Sequence, residues 1–535
     1  MSTINGLRVK NLRSLGDTGE IPIKKLSLLV GRNSGGKSTF ARVLPLLRQS
    51  TEVRKRSPVL WYGRLVDFGS FQDSVRDSDS KGEIQLSFRI ELDRTKTSPR
   101  TIGLDADELS YDILASITLA AGKKASETTV SQLDITFEGI PCRLTFSEGK
   151  LQVIKVGDLS EFVNPAFHQR LSFNGLLPTI YAFKFRKVKV GDQDFNVPEP
   201  VNVFTGALTR EITSITKVSE ETGASIADKL TFGTDAEILA QLKAQSEPSQ
   251  RWVNFCKSLD EKALGFQRIR NAILMARLPQ LLTLIDETIT LLAKNVSYLE
   301  PLRATAQRYY RRQELAVDEI DSRGENVPFF LDSLDSYVKD RLDKWLKKHF
   351  GISVTTESSG GHIAIRLHID GAKKAVNLAD TGFGYSQILP VALQLWSLTH
   401  GTTLRTANDI HDQKIIVIEQ PELHLHPALQ AKLADIFAAC ISDRENNYNF
   451  EQTDLRILVE THSPSLINRI GELVSIGVVD REDVQVVLFE KDETSGVTTT
   501  RISEFAADGR LQNWPYGFFD LVEDDDYETN WEEVE

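Results

Sequence analysis

Cysteine is scarce in this chain. Only Cys142, Cys256 and Cys440 occur among 535 residues, and they lie far apart. Their odd number and wide spacing exclude a disulfide framework and a zinc-binding pattern, which favours a reducing compartment. Long apolar runs are also missing, since no stretch approaches the ~18 residues of a membrane span, and the first residues do not resemble a signal peptide. We therefore expect a cytoplasmic protein that does not engage a membrane.

Positive charge does not dominate the chain, whose net charge is −12. Eight of the acidic residues follow Leu521, where Lys and Arg are absent, so the preceding body is close to neutral. That balance argues neither for nor against nucleic acid as a partner. Local basic clusters occur at 54–56, 184–189 and 311–312, and we interpret each as a solvated surface rather than a DNA groove. The acidic tail, 521–535, is predicted to be disordered.

A glycine-rich segment near the start carries the strongest signal. Residues 31–38 read Gly-Arg-Asn-Ser-Gly-Gly-Lys-Ser, the Walker A spacing, between an apolar strand-like run at 26–30 and a helix-like run at 39–44. Backbone N–H groups of such a loop surround phosphates, Lys37 reaches the β- and γ-phosphates, and Ser38 holds Mg²⁺. The residues expected to bind ATP here are Gly31, Asn33, Ser34, Gly35, Gly36, Lys37, Ser38 and Thr39.

The second half of the chain supplies matching motifs. Four apolar residues at 415–418 end in Glu419, which is typical of a Walker B strand that places an acid beside Mg²⁺. A glycine-rich turn at 380–387 precedes a helix predicted over Ile388 to Leu398, and a further strand ends near His462.

The order of these motifs resembles the ATP-binding-cassette class of ATPase, in its chromosome-maintenance, break-repair and OLD branch. The chain further resembles a family of bacterial predicted ATPases close to the OLD proteins. It is carried by 298–303, 380–390, 418–427, 460–463 and the Trp-Pro-Tyr-Gly-Phe-Phe-Asp motif at 514–520. The resemblance implies an α/β fold: a P-loop ATPase head with a mixed sheet, plus β-rich and short helical insertions.

Within that fold we expect five segments. They are the first part of the head (1–95), a β-rich insertion (96–206), a helical subdomain (207–297), the second part of the head (298–520) and the acidic tail. Pro248 and Pro279 are expected to interrupt the helical stretch, which excludes a long coiled-coil arm.

The resemblance also implies how the motifs cooperate. Two heads would meet head to tail, and each γ-phosphate would contact Walker A of one head and the glycine-rich signature turn of the other. Gly382 and Gly384 would let the backbone approach the phosphate, and Ser386 would donate a hydrogen bond to it. Alternatively, the turn is a helix cap with spare glycines, for which Asp380 and Ser386 are suitable.

The catalytic residues are less regular. Glu419 would coordinate Mg²⁺, whereas Gln420 stands where related ATPases carry a glutamate, and an amide cannot accept a proton from water. Either Glu422 serves as the base instead or hydrolysis is slow. Alternatively, Glu422 is only a carboxylate on the protein surface and has no catalytic role. His462 matches the histidine that senses the γ-phosphate.

Weaker candidates complete the expected site. Gln72 is a candidate Q-loop residue that reaches Mg²⁺, and Arg13 is a candidate phosphate contact. Arg303 and Arg308 are interpreted as salt-bridge anchors rather than phosphate sensors. His424 and His426 are interpreted as part of a dimer-contact loop rather than a metal pair, because no third ligand is near in sequence.

Two functions remain open. In the first, the chain is a dimerising ATP-dependent switch that controls an effector, a nuclease or a toxin supplied in trans, as relatives do in bacterial antiphage systems. OLD nucleases carry a metal-binding nuclease domain after the ATPase, and the roughly seventy residues after His462 are too few for it. In the alternative, the chain is a DNA-repair clamp like the break-repair and recombination ATPases, binding duplex DNA across the closed dimer.

Overall fold

The computed structural model describes residues 2–76, 82–93, 110–122, 127–190, 193–245, 250–313, 315, 317–400, 413–442 and 454–514. The expected acidic tail and residues 515–520 of the C-terminal motif lie outside the described residues.

The described strands are numbered in chain order. They are β1 (Thr3–Leu12), β2 (Leu15–Asp17), β3 (Ile21–Pro22), β4 (Leu26–Gly31), β5 (Glu83–Asp93), β6 (Ser110–Ala121), β7 (Thr128–Phe137), β8 (Ile140–Ser147), β9 (Lys150–Val156), β10 (Leu159–Phe162), β11 (His168–Phe173), β12 (Pro178–Val190), β13 (Gln193–Pro200), β14 (Val296–Leu299), β15 (Tyr310–Arg311), β16 (Ile352–Ser359), β17 (His362–Ile369), β18 (Val376–Asn377), β19 (Lys414–Glu419), β20 (Leu455–Glu460), β21 (Val484–Lys491) and β22 (Thr498–Ser503).

The described helices follow the same order. They are α1 (Lys37–Ala41), α2 (Val43–Thr51), α3 (Phe71–Ser74), α4 (Gly206–Thr216), α5 (Glu220–Ala227), α6 (Asp235–Ala244), α7 (Gln250–Lys257), α8 (Leu264–Lys294), α9 (Val327–Ser333), α10 (Ser336–Phe350), α11 (Phe383–His400), α12 (Pro427–Ile441) and α13 (Pro464–Ser475).

One mixed sheet organises the molecule. At one end, β21, β4, β20, β19 and β14 lie side by side and run parallel. The carboxyl ends of parallel strands meet at one edge of a sheet, where α/β proteins bind ligands. The strand before the glycine-rich loop, the Walker B strand and the strand before His462 therefore end together.

An antiparallel half continues the same sheet. Strands β1 and β5 to β10 pair in antiparallel order away from the parallel half. A boundary at residue 95 therefore falls within one sheet, between β5 and β6, and does not separate two sheets. Two smaller sheets, β11–β12–β13 and one built from β15 to β18, lie apart from it.

Two hydrophobic cores flank the parallel strands. Alternate residues face opposite sides: Leu29 joins one core with α2 and α8, while Leu28 and Val30 join the other with α11, α12 and α13. This is the buried pattern of strands covered by helices on both faces. The predicted α/β class with a mixed sheet is confirmed.

The expected break at Pro279 is wrong. Helix α8 runs unbroken from Leu264 to Lys294 with Pro279 inside it. Proline costs a helix interior about 3 kcal/mol, but Leu278, Leu281 and Leu282 beside it are buried in a core, and this packing outweighs the local preference. Likewise, α11 begins at Phe383, five residues before the expected start. Among the described residues, no helix combines the length and apolar character needed to cross a bilayer.

Candidate functional site

The glycine-rich loop requires its glycines. Gly31 has φ 149°, and a Cβ there would lie 2.4 Å from the carbonyl oxygen of Phe489. Gly36 caps α1 with φ 86°, and a Cβ there would lie 2.6 Å from Leu15 Cδ2. Since such positive φ angles and close contacts favour glycine, local geometry explains the spacing of these two positions.

The rest of the loop presents backbone and polar groups to solvent. Asn33 and Ser34 are exposed, and Ser34 takes a left-handed conformation with φ 59°. Gly35 is buried and donates its N–H to Arg32 O at 3.2 Å, while Thr39 is half-buried in α1. The loop thus has the shape that the Walker A spacing predicts, at the start of a helix.

Lys37 lies beneath the loop. Its side chain is buried, and Nζ donates to the carbonyl oxygens of Gly31 at 2.8 Å and Arg32 at 2.9 Å. Burial lowers the pKa of Lys37, while the nearby carboxyls of Glu460 and Glu422 oppose that shift. The ammonium is therefore held against the backbone of the glycine-rich loop.

Ser38 has an acidic partner that the motif analysis missed. Its Oγ donates to Glu460 Oε1 at 2.9 Å, and Glu460 is 3% exposed at the end of β20. Glu460 Oε2 has no hydrogen-bond partner among the described residues. Burial, with help from neighbouring Glu419, raises the pKa of Glu460 to about 7. One buried carboxylate oxygen beside the Walker A serine is thus uncommitted.

Glu419, the expected Mg²⁺ ligand, is already engaged. It lies beside Glu460 in the parallel register. Arg42 donates to both of its carboxylate oxygens at 2.7 Å, and the hydroxyl of Tyr298 donates to Oε1 at 2.8 Å. The ion pair raises the pKa of Arg42, and burial together with the Glu419 charge raises that of Tyr298.

A second arginine, Arg303, donates a hydrogen bond to the backbone at the same end of β19. Arg303 is 4% exposed and donates to the backbone oxygen of Glu419 at 2.9 Å. Burial lowers its pKa to about 10, against the opposing influence of Glu422 and Glu419. Arg308 pairs with Asp380 at 2.5 Å. Within the described residues Arg308 forms the predicted salt bridge, whereas Arg303 forms none, and its Nε and Nη1 have no hydrogen-bond partner.

The residues after Glu419 form a turn in which Glu422 is buried and Gln420 is half-buried. Gln420 adopts φ 42° and donates its N–H to Glu460 O at 2.8 Å. Glu422 is buried rather than on the surface, and its Oε1 accepts from the His462 backbone N–H at 2.6 Å. Burial raises the pKa of Glu422. The His462 side chain reaches solvent, and partial desolvation and the Lys37 cation lower its pKa.

The signature turn lies at the surface. Gly382 is exposed, and a Cβ there would meet no atom within 4 Å. Gly384 lies in the first turn of α11, near Leu425. Ser386 is buried and donates to Phe383 O at 2.8 Å, so binding a phosphate would require its hydroxyl to rotate. Among the described residues, no hydrogen bond joins this turn to the loop at 31–39.

The weaker candidates have mixed surroundings. Gln72 is exposed on the short helix α3. The Arg13 guanidinium lies 4.5 Å from the ring centre of Phe68, and burial and the Arg42 charge lower its pKa. Arg13 therefore lies near the Glu419 ion pair, whereas the role of Gln72 stays a prediction.

The two neighbouring histidines have separate contacts. His424 adopts φ 62° and its ring lies 6.1 Å from that of Phe383, beside the signature turn. His426 caps α12 by accepting the Ala428 N–H at its Nδ1. In the part of the chain that the structure describes, no group of three or more His, Cys, Asp or Glu side chains could hold a metal.

The Ser38 and Glu460 oxygens fit Mg²⁺. Mg²⁺ prefers oxygen ligands, and Ser38 Oγ lies beside the carboxylate of Glu460, whose Oε2 has no hydrogen-bond partner among the described residues. Sequence reasoning listed Glu460 in the 460–463 motif but gave it no role; its position at the end of a strand, two residues before His462, was the available signal.

Comparison with known families gives two matches. The family described as AAA ATPase domain matches residues 177–467, more than half of the chain and including the signature turn, Glu419 and His462. The glycine-rich loop at 31–38 lies outside this match. A family described as a protein of unknown function, DUF3696, matches residues 479–525. No curated protein matches the chain.

Solved structures include distant likenesses. An Smc head bound to the C-winged helix domain of ScpA is 10% identical, with a TM-score of 0.34, covering 93% of this chain and 97% of that one. A Pyrococcus yayanosii Smc head with a coiled coil and joint is 10% identical, at 0.33, covering 95% and 98%. An Smc head from Thermotoga maritima is 7% identical, at 0.32, covering 93% and 98%. TM-scores this low do not establish a common fold.

Proposed function

This chain belongs to the family of AAA ATPase domains, and from that premise we propose that it binds Mg²⁺–ATP at the loop 31–38 and hydrolyses it slowly. The observation that carries the proposal is the joint position of Lys37 and the Ser38–Glu460 pair beneath a glycine-dependent loop. Such a loop surrounds phosphates, and a helix N-terminus favours their charge.

We propose that Ser38 and Glu460 hold the metal, whereas the sequence assigned that role to Ser38 and Glu419. Glu419 has three hydrogen bonds from Arg42 and Tyr298, while Glu460 has a free oxygen. Bound Mg²⁺ would neutralise charge on the phosphates. Slow turnover follows from Gln420, whose amide orients water but accepts no proton, so that Glu422 or Glu460 would have to serve as base.

The proposed switch needs a second copy. The signature turn is exposed and makes no described hydrogen bond to the loop of its own chain, as expected if it completes the site of another head. The described residues after His462 form α13, β21 and β22 of the ATPase fold. The effector, a nuclease or toxin in trans, and a role in antiphage defence remain proposals supported by the family resemblance alone.

Nucleotide binding by Lys37→Ala tests the proposal. The variant should lose binding of labelled ATP with Mg²⁺ and should lose ATP-dependent self-association in sizing experiments. Lys25→Ala, at the start of the strand that leads into the loop, is the matched control and should behave as the parent. Parent-like binding by Lys37→Ala would refute the site, and ATP binding without self-association would refute the switch.

A further inference from the structure

The small sheet β11–β12–β13 exposes aromatic side chains. Tyr181 is 54% exposed, Phe185 49%, Phe195 47% and Val197 44%. Single exposed apolar residues are ordinary on protein surfaces, but Tyr181 and Phe185 share one face of this sheet with Phe183, and apolar groups that cluster on one face indicate a binding surface. The sequence treated 184–189 as a solvated basic segment, and solvation alone does not account for these rings.

The register assigns these side chains to two faces. His168 is opposite Phe183 and Arg170 is opposite Tyr181, so these residues share one face with the alternate β12 positions. We call it the aromatic face, and its members are His168, Arg170, Tyr181, Phe183, Phe185, Lys187 and Lys189. The rings of His168, Phe183 and Phe185 contact one another, with distances of 4.9–5.6 Å between ring centres. They form one continuous aromatic cluster.

Positive charge exceeds negative charge beside these rings. Arg170, Lys187 and Lys189 lie on the aromatic face, and no ion pair involves them within the described part of the chain. Asp194, opposite Lys189, is the acidic residue that shares this face. A basic surface on a chain with net charge −12 favours an anionic partner.

The opposite face is partly covered and less basic. Leu171 and Ile180 pack against the core, and Gln169 exchanges hydrogen bonds with the backbone of Leu151 in β9. Lys184 is paired with Glu199 at 3.5 Å. Arg186, Phe195 and Val197 on that opposite face are also exposed, so the aromatic face differs by its contacting rings and its larger positive charge.

A second copy of the chain is a poor occupant. The edge strand β13 carries Pro198 and Pro200, which lack the N–H groups that strand addition requires. Face-to-face contact across a two-fold axis would bring the same cations against each other.

We propose that the aromatic face binds single-stranded nucleic acid. Exposed rings stack on unpaired bases, and the bordering cations contact phosphates, in the way general for single-strand binding. In a duplex the bases stack on one another, so their faces are not available to stack on these exposed rings. This site is separate from the nucleotide loop and does not depend on ATP binding.

Fluorescence anisotropy with a labelled dT20 oligonucleotide tests the proposal. Phe185→Ala should weaken binding about tenfold, since stacking contributes about 1–3 kcal/mol per base. Phe195→Ala is the matched control because its ring is equally exposed on the opposite face, and it should bind as the parent. Circular dichroism establishes that both variants are folded, and Lys37→Ala should bind dT20 normally.

The salt dependence of dT20 affinity distinguishes the contribution of ring stacking from that of the positive charges. Lys187→Gln combined with Lys189→Gln should reduce the slope of log affinity against log salt by about 1.4, at about 0.7 per phosphate contact. Phe185→Ala should leave that slope unchanged. The proposal is overturned if the folded parent does not bind dT20, which would assign the face to a protein partner. Equal losses in Phe185→Ala and Phe195→Ala, or tighter binding of a 20-base-pair duplex, would also overturn it.

Discussion

The ends of β19 and β20 carry glutamates in neighbouring register, yet their surroundings differ. Glu419 receives two hydrogen bonds from Arg42 and one from Tyr298, and Arg303 braces its backbone oxygen. Glu460 receives one from Ser38 and keeps a free oxygen. The glutamate at the Walker B position is committed to the fold, while the one that ends the neighbouring strand β20 contacts Ser38 at the end of the loop. Partners, rather than motif position, decide which carboxylate is available to a metal.

Among these variants, Arg42→Ala should cause the largest loss of unfolding free energy. Arg42→Ala leaves the Glu419 carboxylate buried without its cation, and breaking such a pair costs about 3–5 kcal/mol of unfolding free energy. Urea unfolding measures it. Arg32→Ala, which breaks the exposed pair with Glu493, should cost less than about 1 kcal/mol. Adding Glu419→Gln to Arg42→Ala should recover part of the loss. Equal losses in the two single variants would show that Glu419 does not depend on Arg42.

The raised pKa of Glu460 predicts that the free energy of unfolding depends on pH, with a change of intermediate size. Its pKa of about 7 lies above the ordinary 4.5, so the native state binds the proton more tightly than the unfolded chain. Stability from this proton is complete below about pH 4.5 and is lost as the pH rises through about 7. Without Mg²⁺ and ATP, the parent should lose about 3 kcal/mol relative to Glu460→Gln over this range. Urea unfolding at several pH values measures the difference, and a constant difference would contradict the assignment.

Tyr298→Phe should have the smallest effect. It removes one of the three hydrogen bonds to Glu419 while both bonds from Arg42 remain, so the expected cost is about 1 kcal/mol. Tyr309→Phe, at a 57% exposed tyrosine, is the control and should be neutral in thermal unfolding. A Tyr298→Phe loss as large as that of Arg42→Ala would reverse the assigned ranking of the Glu419 partners.

The sequence predicted features that depend on local spacing. The loop 31–38 needs glycine at fixed positions, and the strands ending at Glu419 and Glu460 are buried runs, so both could be recognised from the residues. Contacts between distant elements could not be recognised from the sequence. Arg42 and Tyr298 reach Glu419 only once α1, α2, β14 and β19 have packed. Pro279 failed as a helix break for the same reason, because its cost is offset by packing that one-dimensional patterns do not show.

Electron paramagnetic resonance of Mn²⁺, standing in for Mg²⁺, tests the central claim most directly. With ATP present, the parent and Glu419→Gln should retain protein-bound Mn²⁺, while Glu460→Gln should release it to the signal of Mn²⁺–ATP in solution. Retention by Glu460→Gln with release by Glu419→Gln would contradict the account and return the metal to the motif position.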